Sequence, residues 1–442
     1  MLATVFLGGG PGGLGPLIWA AQQGTLPQWL AGGVAIIDRQ PELGGTLGRY
    51  GINADSLGGS FLECLYSPAL PEPIARLRDD PVTAELERYR DGFSPLALVD
   101  RFSRRLGRSI ASLIDAHPAS SFIGGAEALA LRLRPDGSVT VTVRLPDGRQ
   151  ATLAARTAVV ALGGRPRPPD RSLARCGIRV LMGSDHLLSR AGLSEAQETV
   201  ARADGRPIVI LGGSHSAYSA AWALLQLPAA GKLRAGQIVI LQRRPPPVFY
   251  PDRASAEADL YDVAPGDVCP RTQRINRLGG LRGNGRELWR QIAKRPGTTL
   301  EPRVGVLPLA GLDAPRLRSL LKEAALVVTA FGYRAATIPM FDARGRRIAL
   351  NADAGAASVA DRCHLLLANG AALPQVFGLG LGSGYRPTGA MGGEPNFAGQ
   401  ANSLWLYQND IGAMIQRGIE RALHTPEVAR ALPLGAAAPL PA

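Results

Sequence analysis

Thr4-Val-Phe-Leu7-Gly8-Gly-Gly10-Pro11-Gly-Gly13-Leu-Gly15 decides the fold. An apolar strand runs into glycines, and the helical stretch Leu17-Ile-Trp-Ala-Ala-Gln-Gln23 follows. Gly8, Gly10 and Gly13 fit G-x-G-x-x-G in the context that pattern needs, between a strand and a helix. The first glycine permits a tight turn. The second lets backbone approach a pyrophosphate. The third lets the helix pack closely on the strand, with its N-terminus facing the phosphates.

Working outward, the next strand is Val34-Ala-Ile-Ile-Asp38. It ends in an acid 25 residues after Gly13, with Arg39 beside it. A carboxylate there can accept hydrogen bonds from ribose hydroxyls. The same logic returns in mid-chain. Pro207-Ile-Val-Ile-Leu211 leads into Gly212-Gly-Ser214-His215-Ser216-Ala217, then a helix. Ser214 and Ala217 stand where the second and third glycines would be, and both are small. The following strand, Gln237–Leu241, ends not in an acid but in Gln242-Arg243-Arg244. Arginine at that place can pair with the 2′-phosphate of NADP. His215 faces either a bound nucleotide or a domain interface; the sequence leaves both open.

Three more glycine-bearing strand ends complete the map. Thr157-Ala-Val-Val-Ala-Leu-Gly163-Gly164 and Ala325-Leu-Val-Val-Thr-Ala-Phe-Gly332-Tyr333 each lie downstream of a nucleotide turn. Val376-Phe-Gly378-Leu-Gly380-Leu-Gly-Ser-Gly384 precedes the last helix.

This succession, Gly8-x-Gly10-Pro11-x-Gly13, Asp38, Gly163, Gly212-x-Ser214-x-Ser216-Ala217, Gly332 and Gly378-Leu-Gly380, resembles the two-dinucleotide-binding-domain flavoproteins over nearly the whole chain. Within them it is most similar to the class B flavin monooxygenases, N-hydroxylating branch. The resemblance implies an α/β fold with two Rossmann-like dinucleotide-binding domains, the NADPH domain inserted into the FAD domain, and a small β-meander. It implies FAD on the first and NADPH on the second. The activity it implies is hydride transfer to flavin, then insertion of one oxygen atom of O2 into a small substrate through a C4a-peroxyflavin. Phe331 stands where the family's usual threonine would be. An FxGxxxHxxxWP signature is absent, which sets the chain apart from Baeyer–Villiger enzymes.

The expected organisation is 1–165 for the first part of the FAD domain and 200–335 for the NADPH domain. Residues 336–430 return to the FAD domain, and 431–442 form a disordered tail. A helix is expected after Ser94-Pro95, and a meander over Ala128–Leu133, Val139–Leu145 and Ala151–Ala155. Two stretches are not absorbed by nucleotide binding. Asn53 and Ser56, in the loop after Asp38, are candidate substrate contacts. So is Asn276, in the turn-rich segment 248–280.

Composition narrows the function. The 442 residues carry 49 basic and 36 acidic side chains, a net charge of +13. Only Lys232, Lys294 and Lys322 are lysines, and the arginines are scattered. The excess reads as compositional drift, and no nucleic-acid partner is expected. Cys64, Cys176, Cys269 and Cys363 form no CxxC pair, which disfavours a disulfide reductase, and no metal site is expected. No apolar run is long enough to span a bilayer, so a cytoplasmic protein without a membrane partner is expected. The sequence leaves a homo-oligomer open. It also leaves open an NADPH-dependent reductase passing electrons to a ferredoxin-like protein, and a non-catalytic flavin-binding redox module.

Overall fold

The computed structural model describes residues 1–424; the tail expected at 431–442 lies outside the described residues. Leu2–Leu7 is the centre of a 10-stranded sheet. Val34–Asp38 pairs parallel on one side of it, followed by Ser121–Gly124. Gln150–Val160 pairs parallel on the other side, followed by Ala372–Gly378. These strands read as continuous Val/Ile/Leu/Ala runs because both of their faces are covered. Helix Pro11–Gln22 covers one face together with Leu404–Gln408 and Asp410–His424. The approach is close: a Cβ on Gly15 would lie 2.3 Å from the Tyr407 carbonyl oxygen.

Two stretches read separately in the sequence form one element. The third meander segment and the apolar run from Thr157 are a single 11-residue strand, Gln150–Val160. Its first half pairs antiparallel with Val139–Arg144, and its second half pairs parallel with Leu2–Leu7. The meander Glu127–Leu133, Val139–Arg144 therefore extends the nucleotide sheet. The helix expected after Ser94-Pro95 runs from Leu96 to Asp115, with Pro95 at the cap position. Ser94 does not cap it; its Oγ is buried and unpartnered, because Phe93–Pro95 is held as a short strand against Asn53–Leu57.

The second sheet is entirely parallel, in the order Leu181–Gly183, Leu326–Thr329, Ile208–Leu211, Ile238–Gln242, Val304–Pro308. Its edge strand Leu181–Gly183 precedes residue 200. The unit thus reaches further upstream than sequence composition indicated, because a three-residue edge strand carries little periodicity. Ile208–Leu211 is buried at every residue. Each such side chain contributes about 1.5–3 kcal/mol of transfer free energy. The chain crosses between the two sheets twice. The crossings, Gly164–Pro166 and Tyr333–Ala335, pair with each other as an antiparallel ribbon. The proline-rich segment at 165–169 is thus tied down at its start.

Among the described residues, no helix is long and apolar enough to cross a membrane.

Candidate active site

The two nucleotide turns are built alike. Gly8 has φ +110°, and a Cβ there would fall 2.3 Å from the Ala161 carbonyl oxygen, at the end of the neighbouring parallel strand. Gly212 has φ +147°, and a Cβ there would fall 2.6 Å from the Ala330 carbonyl oxygen, at the equivalent place in the second sheet. In both, the left-handed backbone and the close strand leave room only for hydrogen. Gly13 packs its helix onto the turn, its missing Cβ lying 2.0 Å from the Gly8 carbonyl oxygen. Ala217 does the same work in the second unit with its own methyl, fully buried.

Helix Pro11–Gln22 begins at Gly10 and helix His215–Leu225 at Ser214; neither has a side-chain cap. The first amides of both helices are left for a ligand or solvent, as phosphate-binding turns require. Around the first turn, three stretches of glycine backbone converge. A Cβ on Gly12 would meet the Gly380 Cα at 3.5 Å, and one on Gly10 would meet the Gly45 Cα at 3.8 Å. Gly380, at φ +111°, has nothing within 4 Å of its missing side chain. Asp38 Oδ2 accepts a 2.6 Å hydrogen bond from the Gly9 amide, which locks the strand-end carboxylate to the turn. Backbone closeness, open helix amides and a fixed acid together fit a dinucleotide such as FAD.

The other candidates separate. Gly163 and Gly332 have φ +78° and +76° with open space around them, each just before one strand of the inter-sheet ribbon. Gly378 is a packing residue, its Cβ position 2.7 Å from Val359. Ser216 is half-buried; Arg39, Arg243 and Arg244 are exposed. The Arg244 backbone borders the second turn, its carbonyl oxygen 3.4 Å from the Cβ position of Gly213.

Ser56 lines a cleft of about 600 Å³, together with Asp55, Glu63, His215 and Trp405. Asn53 and Asn276 do not. Asn53 pairs with Pro95 in its strand. Asn276 is buried, and its Nδ2 donates to the Val248 carbonyl at 3.0 Å and to Tyr261 Oη at 3.0 Å. Its amide is spent on holding the 248–280 segment together.

Besides Arg243 and Arg244, the arginine excess has a second local grouping. Arg271, Arg274, Arg277 and Arg282 all line the cleft. Their signal was present as four arginines within a twelve-residue loop.

His215 faces this cleft. Its Nε2 is buried and has no hydrogen-bond partner. Burial pushes the imidazole below its ordinary value; nearby Asp55 opposes that shift and Arg282 adds to it. Burial likewise lowers Arg282, which stacks over Phe249 at 4.1 Å and donates to the Arg277 carbonyl. At His215 the unfolded chain takes up a proton below about pH 6.5 where the folded one does not, so acid lowers stability. His215→Gln should therefore lose less Tm than the wild type between about pH 7 and pH 5. An unchanged difference would show that the native imidazole protonates normally.

No family model matches the chain. The CMP-5′-(3-aminopropyl)phosphonate hydroxylase of Streptomyces rubellomurinus is 35% identical over 427 residues, covering 94% of this chain and 97% of that protein. Among solved structures, the FAD-bound cadaverine monooxygenase DfoA of Erwinia amylovora superposes with TM-score 0.56 at 13% identity, covering 100% of this chain and 99% of that one. The ornithine hydroxylase PvdA of Pseudomonas aeruginosa gives 0.53 at 17% identity, covering 95% and 99%.

Proposed function

The chain belongs to the family of this hydroxylase, among the N-hydroxylating class B flavin monooxygenases, and from that premise we propose that it N-hydroxylates the primary amine of a nucleotide-linked aminoalkylphosphonate. FAD is the resident cofactor and NADPH the reductant. The observation that carries the reading is one of placement. His215, which opens the helix of the second nucleotide turn, lines the same cleft as Asp55 and Ser56, which follow the first nucleotide unit. The start of the second turn's helix and the strand at Asn53–Leu57 thus border one cleft. The hydroxylase relative, DfoA and PvdA are each named for a substrate that carries an amine, which supports nitrogen as the site of attack.

The residues that would hold FAD are the Gly8–Gly13 turn, Asp38, Gly45 and Gly380. Those that would hold NADPH are the Gly212–Ala217 turn, Arg243 and Arg244. When bound, FAD takes hydride from NADPH and activates O2 for transfer of one oxygen atom to the amine.

The chain's own side chains manage charge and hydrogen bonding. An amine reacts through its lone pair, so the substrate ammonium must lose a proton first. Asp55 supplies a carboxylate that attracts the ammonium into the cleft. The proton leaves to solvent, since a buried imidazole held below its ordinary value is a weak base, and the unpartnered His215 Nε2 accepts a hydrogen bond from the neutral amine.

The test is turnover of purified, flavin-loaded enzyme with NADPH, O2 and CMP-5′-(3-aminopropyl)phosphonate. The expected product is one oxygen atom heavier, with the new oxygen on nitrogen. NADPH oxidation that requires a ferredoxin-like acceptor and yields no oxygenated product would establish the reductase instead.

Arg243→Ala should weaken NADPH by roughly ten- to a hundredfold, the loss of a charge-assisted contact of about 1.5–3 kcal/mol. NADH binding should be nearly unaffected. Equal use of NADH and NADPH by the wild type would refute the phosphate role.

A further inference from the structure

The loop between Asp252 and the helix Gly283–Ile292 is the part of the fold that nucleotide binding leaves unexplained. It delivers Arg271, Arg274, Arg277 and Arg282 to one wall of the cleft, and Trp405 is brought there by the return segment. Arg271 is neutralised by Asp410, at 2.5 and 3.2 Å. Among the described residues, Arg274, Arg277 and Arg282 have no carboxylate in ion-pairing range. Arg277 donates to the Cys269 thiol, at 3.8 Å, and Arg282 donates to the Arg277 carbonyl and stacks over Phe249.

The three guanidiniums repel one another; Asp55 and Glu394 offset part of that for Arg282, but among the described residues no carboxylate closes on Arg274 or Arg277. Bound anions would offset the rest. Guanidinium forks suit phosphoryl oxygens, which they can grip two at a time. Trp405 adds an aromatic face. Its indole N–H donates to Glu63, and Arg271 and Arg277 lie 6.0 and 5.9 Å from its ring centroid. A fixed aromatic plane beside free cations is the pairing that binds a base and its phosphate together. Asp55 and His215 lie on other elements, beside Arg282 rather than Arg274 or Arg277, and the Asp55 carboxylate suits the opposite charge.

We infer that Arg274, Arg277 and Trp405 form a nucleoside-monophosphate clamp. It holds the nucleotide end of the substrate and presents the amine to Asp55 and His215. The inference rests on the hydroxylase reading for the identity of the substrate, but the clamp can be tested without turnover. The clamp makes the nucleotide the recognised handle and the aminoalkylphosphonate the reacting end. A free aminoalkylphosphonate is then a poor substrate even though it carries the reacting amine.

The probe is cytidine 5′-monophosphate, titrated calorimetrically into the flavin-loaded enzyme. Flavin absorbance verifies the fold of every variant. Saturable binding is expected in the wild type. Arg274→Ala, Arg277→Ala and Trp405→Ala should each weaken it roughly tenfold, with Trp405→Phe retaining most of it. Arg318→Ala, an exposed arginine on a remote helix, serves as the charge control and should leave it unchanged. NADPH affinity, measured in the same variants, should stay within about twofold of the wild type. A wild type that does not bind cytidine monophosphate, or variants that bind it normally, would overturn the clamp. So would variants that lose NADPH instead, since the arginines would then belong to the dinucleotide. Oxygen insertion without nucleotide binding sinks the clamp alone. Nucleotide binding through these residues with no NADPH-driven oxygen insertion supports the clamp and sinks only the hydroxylase reading.

Discussion

Gly13→Ala protein is expected to emerge from purification without its flavin. A Cβ at position 13 lies 2.0 Å from the Gly8 carbonyl oxygen, 3.0 Å from its carbon and 3.3 Å from the Ala161 methyl. These are backbone or core atoms, not the ends of flexible side chains. Gly8 cannot retreat, because its amide is bound to the Ile37 carbonyl at 2.8 Å and its own Cβ position is already filled by Ala161. The helix must therefore lift from the strand, carrying away the open amides that would face the pyrophosphate. Overpacking of this kind costs about 1–3 kcal/mol of stability. FAD binding loses that and its geometry as well. The measurement is flavin absorbance per polypeptide, with denaturant unfolding of the same sample. Gly231→Ala is the control, since nothing lies within 4 Å of its Cβ position. A yellow, normally loaded Gly13→Ala enzyme would remove the first turn from the FAD site.

Asp259→Ala should destabilise the protein by about 3 kcal/mol. Asp259 is 4% exposed and anchors the loop that carries the arginines. Arg290 Nε donates to both of its carboxylate oxygens, at 2.9 and 3.0 Å, and Tyr250 Oη donates to Oδ2 at 2.8 Å. Arg286 adds a longer contact at 3.6 Å and stacks over Tyr250 at 4.4 Å from the ring centroid. Removing the acid leaves Arg286 and the Tyr250 phenol around an empty space, while Arg290 keeps Glu287 at 3.1 Å and the Pro296 carbonyl at 3.0 Å. The estimate sits at the low end for buried pairs because Arg290 keeps 24% of its side-chain exposure. Asp259→Asn should lose less, since the amide oxygen can still accept from Tyr250. Urea unfolding at neutral pH reads the effect. An Asp259→Ala midpoint equal to the wild type would mean that the loop is held by its apolar core of Val248, Tyr250, Ala256 and Ile275 alone. Because Asp259 and the clamp arginines share this loop, its loosening should also weaken cytidine monophosphate binding.

The two nucleotide turns were legible in the sequence because backbone approach is a local requirement. Only glycine tolerates the Gly8 and Gly212 geometries, so the need is written at the position itself. The strand ends at Ala161 and Ala330 follow the same rule one step removed: each abuts a turn glycine. Asn276 shows where such reading stops. A polar residue in a long loop looks the same on paper whether its amide faces a ligand or its own backbone. Here burial turned it inward, onto Val248 and Tyr261. The arginines show the reverse. Four lie within twelve residues, but in a turn-rich loop that spacing fixes no common direction, and only the path of the 248–282 loop brings them to one wall.

What the sequence by itself determined is thus the pair of dinucleotide units, their order and the acid and arginines at their strand ends. Each is a constraint satisfied within a few residues of chain. What only the tertiary structure decided is the cleft. Asp55, His215, Arg274, Arg277 and Trp405 come from four separate stretches, and no local rule relates them. They meet because two parallel sheets, joined by a paired ribbon at Gly164–Pro166 and Tyr333–Ala335, turn these loops toward a common space. Charge and aromatic surface acquire a chemical meaning only once long-range packing has set the distances between them.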